Sequence, residues 1–169
     1  MREYDERPAD PRSVLRAAIP LGIGLIGAID EIIFHQLLQW HNFYVDTTER
    51  WRIFSDGLLH AFTLSMLFFG AWQLWQHRQP FSTIVSSRPF WAGVLLGGGG
   101  FQLWDGVVDH WLLRLHPVRE GVDNIWLYDA AWIASALVLL AIGWTLWRGV
   151  SSATIDRPVG PVGKRRSSA

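Results

Sequence analysis

Residues 21–41, LGIGLIGAIDEIIFHQLLQWH, return in altered form at residues 96–116, LGGGGFQLWDGVVDHWLLRLH. Sliding the chain against itself by seventy-five positions aligns Gly22 with Gly97, Gly24 with Gly99, Asp30 with Asp105, His35 with His110 and His41 with His116. In each copy an Asp is followed five residues later by a His, and six later by another. Matched leucines in apolar stretches mean little. Matched Asp and His in the same stretches mean much more, because ionisable groups are costly there. The GIGLIG run has the spacing of a dinucleotide fingerprint, but it follows no strand and lies inside an apolar run, so that reading fails.

Outward from these two stretches the chain resolves into four segments long enough to cross a bilayer, roughly Ala17–Trp40, Asp56–His77, Pro89–Leu115 and Ile125–Trp147. A soluble helical bundle would need a polar stripe along each helix, and LGIGLIGAI, AFTLSMLFFGAW and IASALVLLAIGW have none. The expected fold is therefore all-α: an integral membrane four-helix bundle built from two parallel two-helix repeats, related by an axis along the membrane normal. Glycines on the first and third spans, Gly22, Gly24, Gly27, Gly93 and Gly97 to Gly100, would permit close backbone approach.

Basic residues set the expected orientation. The N-terminal segment, the second connection and the tail carry eleven Lys and Arg, whereas the other side carries Arg50, Arg52, Arg114 and Arg119. This predicts a cell (plasma or inner) membrane protein with both termini cytoplasmic: a 1–16 segment, a 17–147 transmembrane domain and a 148–169 basic tail able to touch anionic lipid. The charged opening has no apolar h-region, so a cleaved signal peptide is not expected. With fifteen basic and fifteen acidic residues there is no net charge to attract nucleic acid. The lack of Cys excludes disulfides, thiolate metal sites and Cys nucleophiles. The expected partner is the lipid bilayer, with a homodimer or a membrane complex left open.

In this orientation Asp30, Glu31, His35, His41, Asp56, His60, Asp105, Asp109, His110, His116 and Asp129 all fall in the outer half or at its rim. Only His77 lies at the inner end. An ionisable side chain at mid-bilayer costs roughly 2.5–3.5 kcal/mol, so these acids must be paired, protonated, hydrated or bound to a cation. At about 100° per residue, Asp56 shares a face with His60, and Glu31 lies one turn from His35. An acid and a His one turn apart are the elements of metal sites in bundle cores. His35, His60 and His110 are the expected ligands. Asp56, Asp105 and Asp109 are ligands or acceptors holding an imidazole N–H; His41 and His116 cap the site as ligands or are ordinary interfacial histidines; Glu31 and Asp30 are further candidate ligands, though Asp30, like Asp129, better suits a supporting place. Nitrogen and oxygen donors without Cys favour zinc, iron or manganese over a soft Cu(I) carrier, with His-bound Cu(II) still available. Haem held by His35 and His110 is the alternative cofactor. The functions in play are a metal-dependent membrane enzyme, a non-catalytic metal or haem carrier, sensor or respiratory assembly component, a proton or ion path, and a hydrated polar cap without metal.

GAIDEIIFHQLLQWH, DGLLHAF, DGVVDHWLLRLHPVRE and the LYDAAW that follows together resemble a bacterial family of predicted membrane proteins, domain-of-unknown-function family 2243. The resemblance covers nearly the whole helical region. The family is similar in having Asp-Gly at Asp30-Glu31, Glu-Gly at Asp105-Gly106, and extra His where this chain has Trp111 and Pro117, which are therefore not ligand positions here. It implies a multi-pass membrane protein and no established activity.

Overall fold

A computed structural model describes residues 9–77 and 79–155, and among them every regular element is helical. Helix α1 (Pro11–Asp30) opens on Asp10, whose carboxylate accepts the main-chain N–H groups of Arg12 (3.2 Å) and Ser13 (3.1 Å). Pro11 at its first position gives up an N–H that has no helical partner in any case. At Glu31 the coil widens into a π-helix, Glu31–Leu37. Helix α2 (Glu49–Trp75) returns, the short α3 (Phe81–Val85) turns the chain, and α4 (Arg88–Trp104) widens in its turn into a π-helix, Asp105–Leu112. Helix α5 (Ile125–Ile155) runs past the predicted end of the fourth span. The Arg78 connection and the basic tail from Asp156 onward lie outside the described residues.

Both π segments end alike. Leu38 N–H bonds Ile33 O and Leu113 N–H bonds Val108 O, each at 2.8 Å. Gln39 (φ 51°) and Arg114 (φ 52°) then turn left-handed, a helix stop that usually falls to Gly.

Helix α1 packs between α2 and α4, and α4 between α1 and α5. Glycine makes these approaches possible. A Cβ on Gly22 would collide with the Val94 carbonyl, and one on Gly97 with the Ile19 carbonyl. Gly24 rests on Thr63 and Leu67 of α2, and Gly99 on Ala136 and Leu140 of α5. Beyond the helices, Val45 N–H bonds Leu115 O (3.1 Å) and Glu120 N–H bonds Trp40 O (2.9 Å). A small apolar core of Val14, Ala17, Ala18, Leu74, Ile84, Phe90 and Val94 closes the end opposite the π segments.

The polarity of the whole is inverted relative to a water-soluble domain. Phe68 is 73 % exposed and Trp72 57 %, while Asp30, Glu31, His35, Asp56, Asp105, Asp109, His110 and Asp129 are buried. Such a surface suits hydrocarbon, not water. Three helical stretches are long and apolar enough to cross a membrane: Pro11–Leu37, Glu49–Trp75 and Ile125–Val150. The α4 stretch is not one of these. Its run of glycines, Gln102, Asp105 and Asp109 lowers its hydropathy, and its place between α1 and α5 covers those groups with protein.

Candidate metal centre

The π-helices decide which side chains meet. In an α-helix, residues five apart stand about 140° from each other around the axis. A π-helix bonds i to i+5 and brings them onto one face. Asp30 therefore reaches His35, with Oδ2 3.6 Å from Nε2. Asp105 reaches His110 in the same way, with Oδ2 3.2 Å from Nε2. The left-handed stops then fold His41 and His116 back over these pairs. Two three-residue sets result, Asp30–His35–His41 and Asp105–His110–His116, all six residues buried and the candidate ligand atoms of each set within 4.8 Å of one another.

The sets adjoin. The His41 and His116 rings stack with centroids 4.6 Å apart and planes 4° from parallel. His35 lies 4.3 Å from His41, and His110 4.6 Å from His116.

His35 and His41 are held from behind by hydrogen bonds, His110 faces a carboxylate there, and Nδ1 of His110 and His116 makes no hydrogen bond. His35 Nδ1–H donates to Asp56 Oδ1 at 3.1 Å, and Glu31 Oε2 stands at 3.1 Å from the same nitrogen. Asp129 Oδ1 lies 3.4 Å from His110 Nδ1. His41 Nδ1–H donates to the Val118 carbonyl at 2.7 Å. Since a carbonyl only accepts, the proton of His41 sits on Nδ1 and the lone pair on Nε2. The supporting acids are fixed in turn. Asp56 accepts Asn42 Nδ2 and Phe43 N–H, both at 2.7 Å, and Asp129 accepts Val118 N–H at 2.9 Å. Carboxylate behind imidazole, with the far nitrogen free, is the arrangement that orients metal-binding His.

Several buried polar atoms in and around the cluster make no hydrogen bonds. Nε2 of His35, His41, His110 and His116 are all buried and unpartnered, as are Glu31 Oε2 and Asp109 Oδ2. Burial, and then the neighbouring imidazole of His116, hold His41 down to about pH 2. Burial, with His110 and His35 adding to it against the pull of Asp105, holds His116 down to about 3. Both rings are neutral at physiological pH, the form that ligates.

Two mouths border the cluster. One, of about 430 Å³, is lined by His35, His41, Glu49, Arg52 and Asp56. The other, of about 400 Å³, is lined by His110, Arg114, His116 and Asp129.

The expected residues do not all arrive. His60 is exposed on α2: the buried face runs through Asp56, Leu59, Thr63, Gly70 and Leu74, and His60 falls outside it although it follows Asp56 by one turn. Asp109 is buried but joins neither set. Glu31 belongs to a third group with His35 and Asp56. His41 and His116, candidate ligands expected to cap the site, each complete one of the two sets. Arg119 does not pair with Glu120. It lies over the Trp40 ring (4.9 Å) and donates to Tyr128 Oη (2.9 Å), while Glu120 pairs with Arg52 at 3.1 Å. Trp132, whose Nε1–H donates to Asp105 Oδ2 at 2.8 Å, and Asn42 were not singled out from sequence. The offset that aligns Asp56 with Asp129 puts Trp132 opposite Leu59, a leucine with no polar atom to match.

No curated protein and no solved structure matches the chain. A family model described as "Predicted membrane protein (DUF2243)" matches residues 17–150, most of the chain, and this protein therefore belongs to that family of predicted membrane proteins.

Proposed function

We propose that the chain is a four-span membrane protein of two parallel repeats, and that it binds transition metal through Asp30, His35, His41, Asp105, His110 and His116. The observation that carries the metal reading is the convergence of four buried, unpartnered imidazole nitrogens on two carboxylates inside a shell of apolar helices. Left without a cation, so many desolvated polar atoms would each cost about 1–3 kcal/mol.

The repeat is supported by reciprocal contacts. Gly22 meets Val94 as Gly97 meets Ile19, and Val45 pairs with Leu115 as Glu120 pairs with Trp40. Every one of these positions has its counterpart seventy-five residues away. Asp56 and Asp129, seventy-three apart, serve His35 and His110 alike. The α4 stretch would cross the bilayer shielded by α1 and α5, and the basic residues support cytoplasmic termini.

Each set offers two nitrogens and one oxygen, a donor mixture suited to zinc or iron, or to Cu(II). Two sets with separate mouths favour a pair of ions. Haem is the weaker reading, because a neighbouring imidazole and a carboxylate crowd the inward face of His35 and of His110. A metal-dependent enzyme would draw its base from Glu31, whose Oε2 stands 3.1 Å from His35 Nδ1. A carrier or assembly component would use the same ligands without that base.

The test is elemental analysis and an absorption spectrum of the full chain purified in mild detergent from metal-replete cells. Stoichiometric zinc, iron or copper, lost in the His35→Ala/His110→Ala double variant, supports the reading. A Soret band would select haem instead. Well-folded protein free of metal would defeat both and leave the hydrated polar cap.

A further inference from the structure

We infer that the cavity between α1, α2 and α4 is a lateral binding site for a membrane-soluble amphiphile whose head carries a hydrogen-bond donor, a hydroxyl or an amine, seated against Asp109. The inference uses the bilayer placement proposed above and is independent of the metal.

The cavity measures about 550 Å³, within the range that holds a ligand of moderate size. Leu58 and Phe62 of α2 and Trp104 of α4 stand at its walls and are themselves exposed on the apolar exterior, so it opens sideways, toward lipid. A Cβ on Gly100 would meet nothing within 4 Å, which makes this glycine part of the open space. Among the described residues that line it, Asp109 alone is ionisable. That side chain is 1 % exposed, and its Oδ2 has no hydrogen-bond partner.

The equivalent place in the other half is filled. Where one half has Asp109 and Leu59, the other has Phe34 and Trp132, whose rings meet edge to face with centroids 5.5 Å apart. Trp132 also spends its N–H on Asp105. The two halves thus agree at every proposed ligand and differ here, where one carries two aromatic rings and the other a cavity ending in an acid. A packing requirement alone would call for the rings in both.

The chemistry selects the head group. A hydroxyl or ammonium donates to Asp109, whereas a carboxylate or phosphate would oppose both Asp109 and Asp105, four residues before it on the same π-helix. The chain lies along Leu58, Phe62 and Phe101.

The experiment follows quenching of Trp104 in the full chain by terminally brominated dodecanol, dodecanoate and dodecane, with Trp104→Phe identifying the signal. It is run on metal-loaded and chelator-stripped protein, so that loss of the metal reading leaves the result standing. Saturable quenching by the alcohol is expected, ~10-fold or more tighter than by the carboxylate or the alkane, with that preference lost in Asp109→Leu. Gly100→Phe should abolish the saturable part. Leu59→Trp, which imports the residue of the filled half, should do the same and serves if the first variant does not fold. Equal binding of alcohol and carboxylate, or curves unchanged in both filled variants, would reduce the cavity to ordinary contact with boundary lipid and overturn the inference.

Discussion

Asp56 and Asp129 stand one imidazole ring removed from the proposed metal. Each faces an imidazole Nδ1, and each is pinned by a main-chain N–H from Phe43 or Val118. Asp56→Asn and Asp129→Asn should keep the fold but lower metal affinity ~10–100-fold, measured by competition with a chromophoric chelator. His60→Ala, on the exposed side of α2, should leave metal content unchanged.

The neutral rings of His41 and His116 also set a pH dependence. Their folded values, about 2 and about 3, lie below the ordinary 6.5. As pH falls below about 6.5 the unfolded chain takes up protons that the folded chain refuses. The stabilisation is therefore complete above that pH and is lost progressively between it and about 3. Thermal unfolding in detergent should shift down over this window, and His41→Gln/His116→Gln should flatten the dependence.

At the scale of elements, the π-helix is what periodicity at 100° per residue does not see. That period placed Glu31 beside His35, and it set Asp56 on a face with His60, of which only Asp56 is buried. At that period Asp30 stands about 140° from His35 and Asp105 as far from His110, because five residues are out of phase in an α-helix and in phase in a π-helix. The clue was the Asp-to-His interval of five, present twice. His60 misled for the opposite reason. One turn from Asp56 is a correct distance along α2, but the buried face of that helix is too narrow to include it. The left-handed turns at Gln39 and Arg114 left no mark, since neither residue is Gly. Gln39→Gly should relieve about 1 kcal/mol of local strain, read as a higher unfolding midpoint.

The glycines of α1 and α4 have the reverse sensitivity. Gly22→Ala or Gly97→Ala would drive a methyl into the facing carbonyl, so the helices must part. The expected cost is about 1–3 kcal/mol, with metal loss following because the π segments extend from these same helices.

Across the whole molecule, the lack of Cys makes the proposed orientation directly measurable. Ser82→Cys lies on the connection between α2 and α4, and Asp123→Cys on the one before α5; both positions are exposed. A membrane-impermeant maleimide should label Asp123→Cys in intact cells and Ser82→Cys only after permeabilisation. The opposite pattern would place the cluster on the cytoplasmic side.

The crossed main-chain bonds, Val45 to Leu115 and Glu120 to Trp40, stitch each half to the loop of the other. Their reciprocity has a consequence for assembly. A gene cut within the Arg78 connection would yield two hairpins, each carrying three proposed ligands and a docking edge for its sibling. Expressed from separate reading frames, the fragments should find one another in the bilayer and reconstitute the proposed centre, read as metal bound by the co-purified pair and by neither fragment alone.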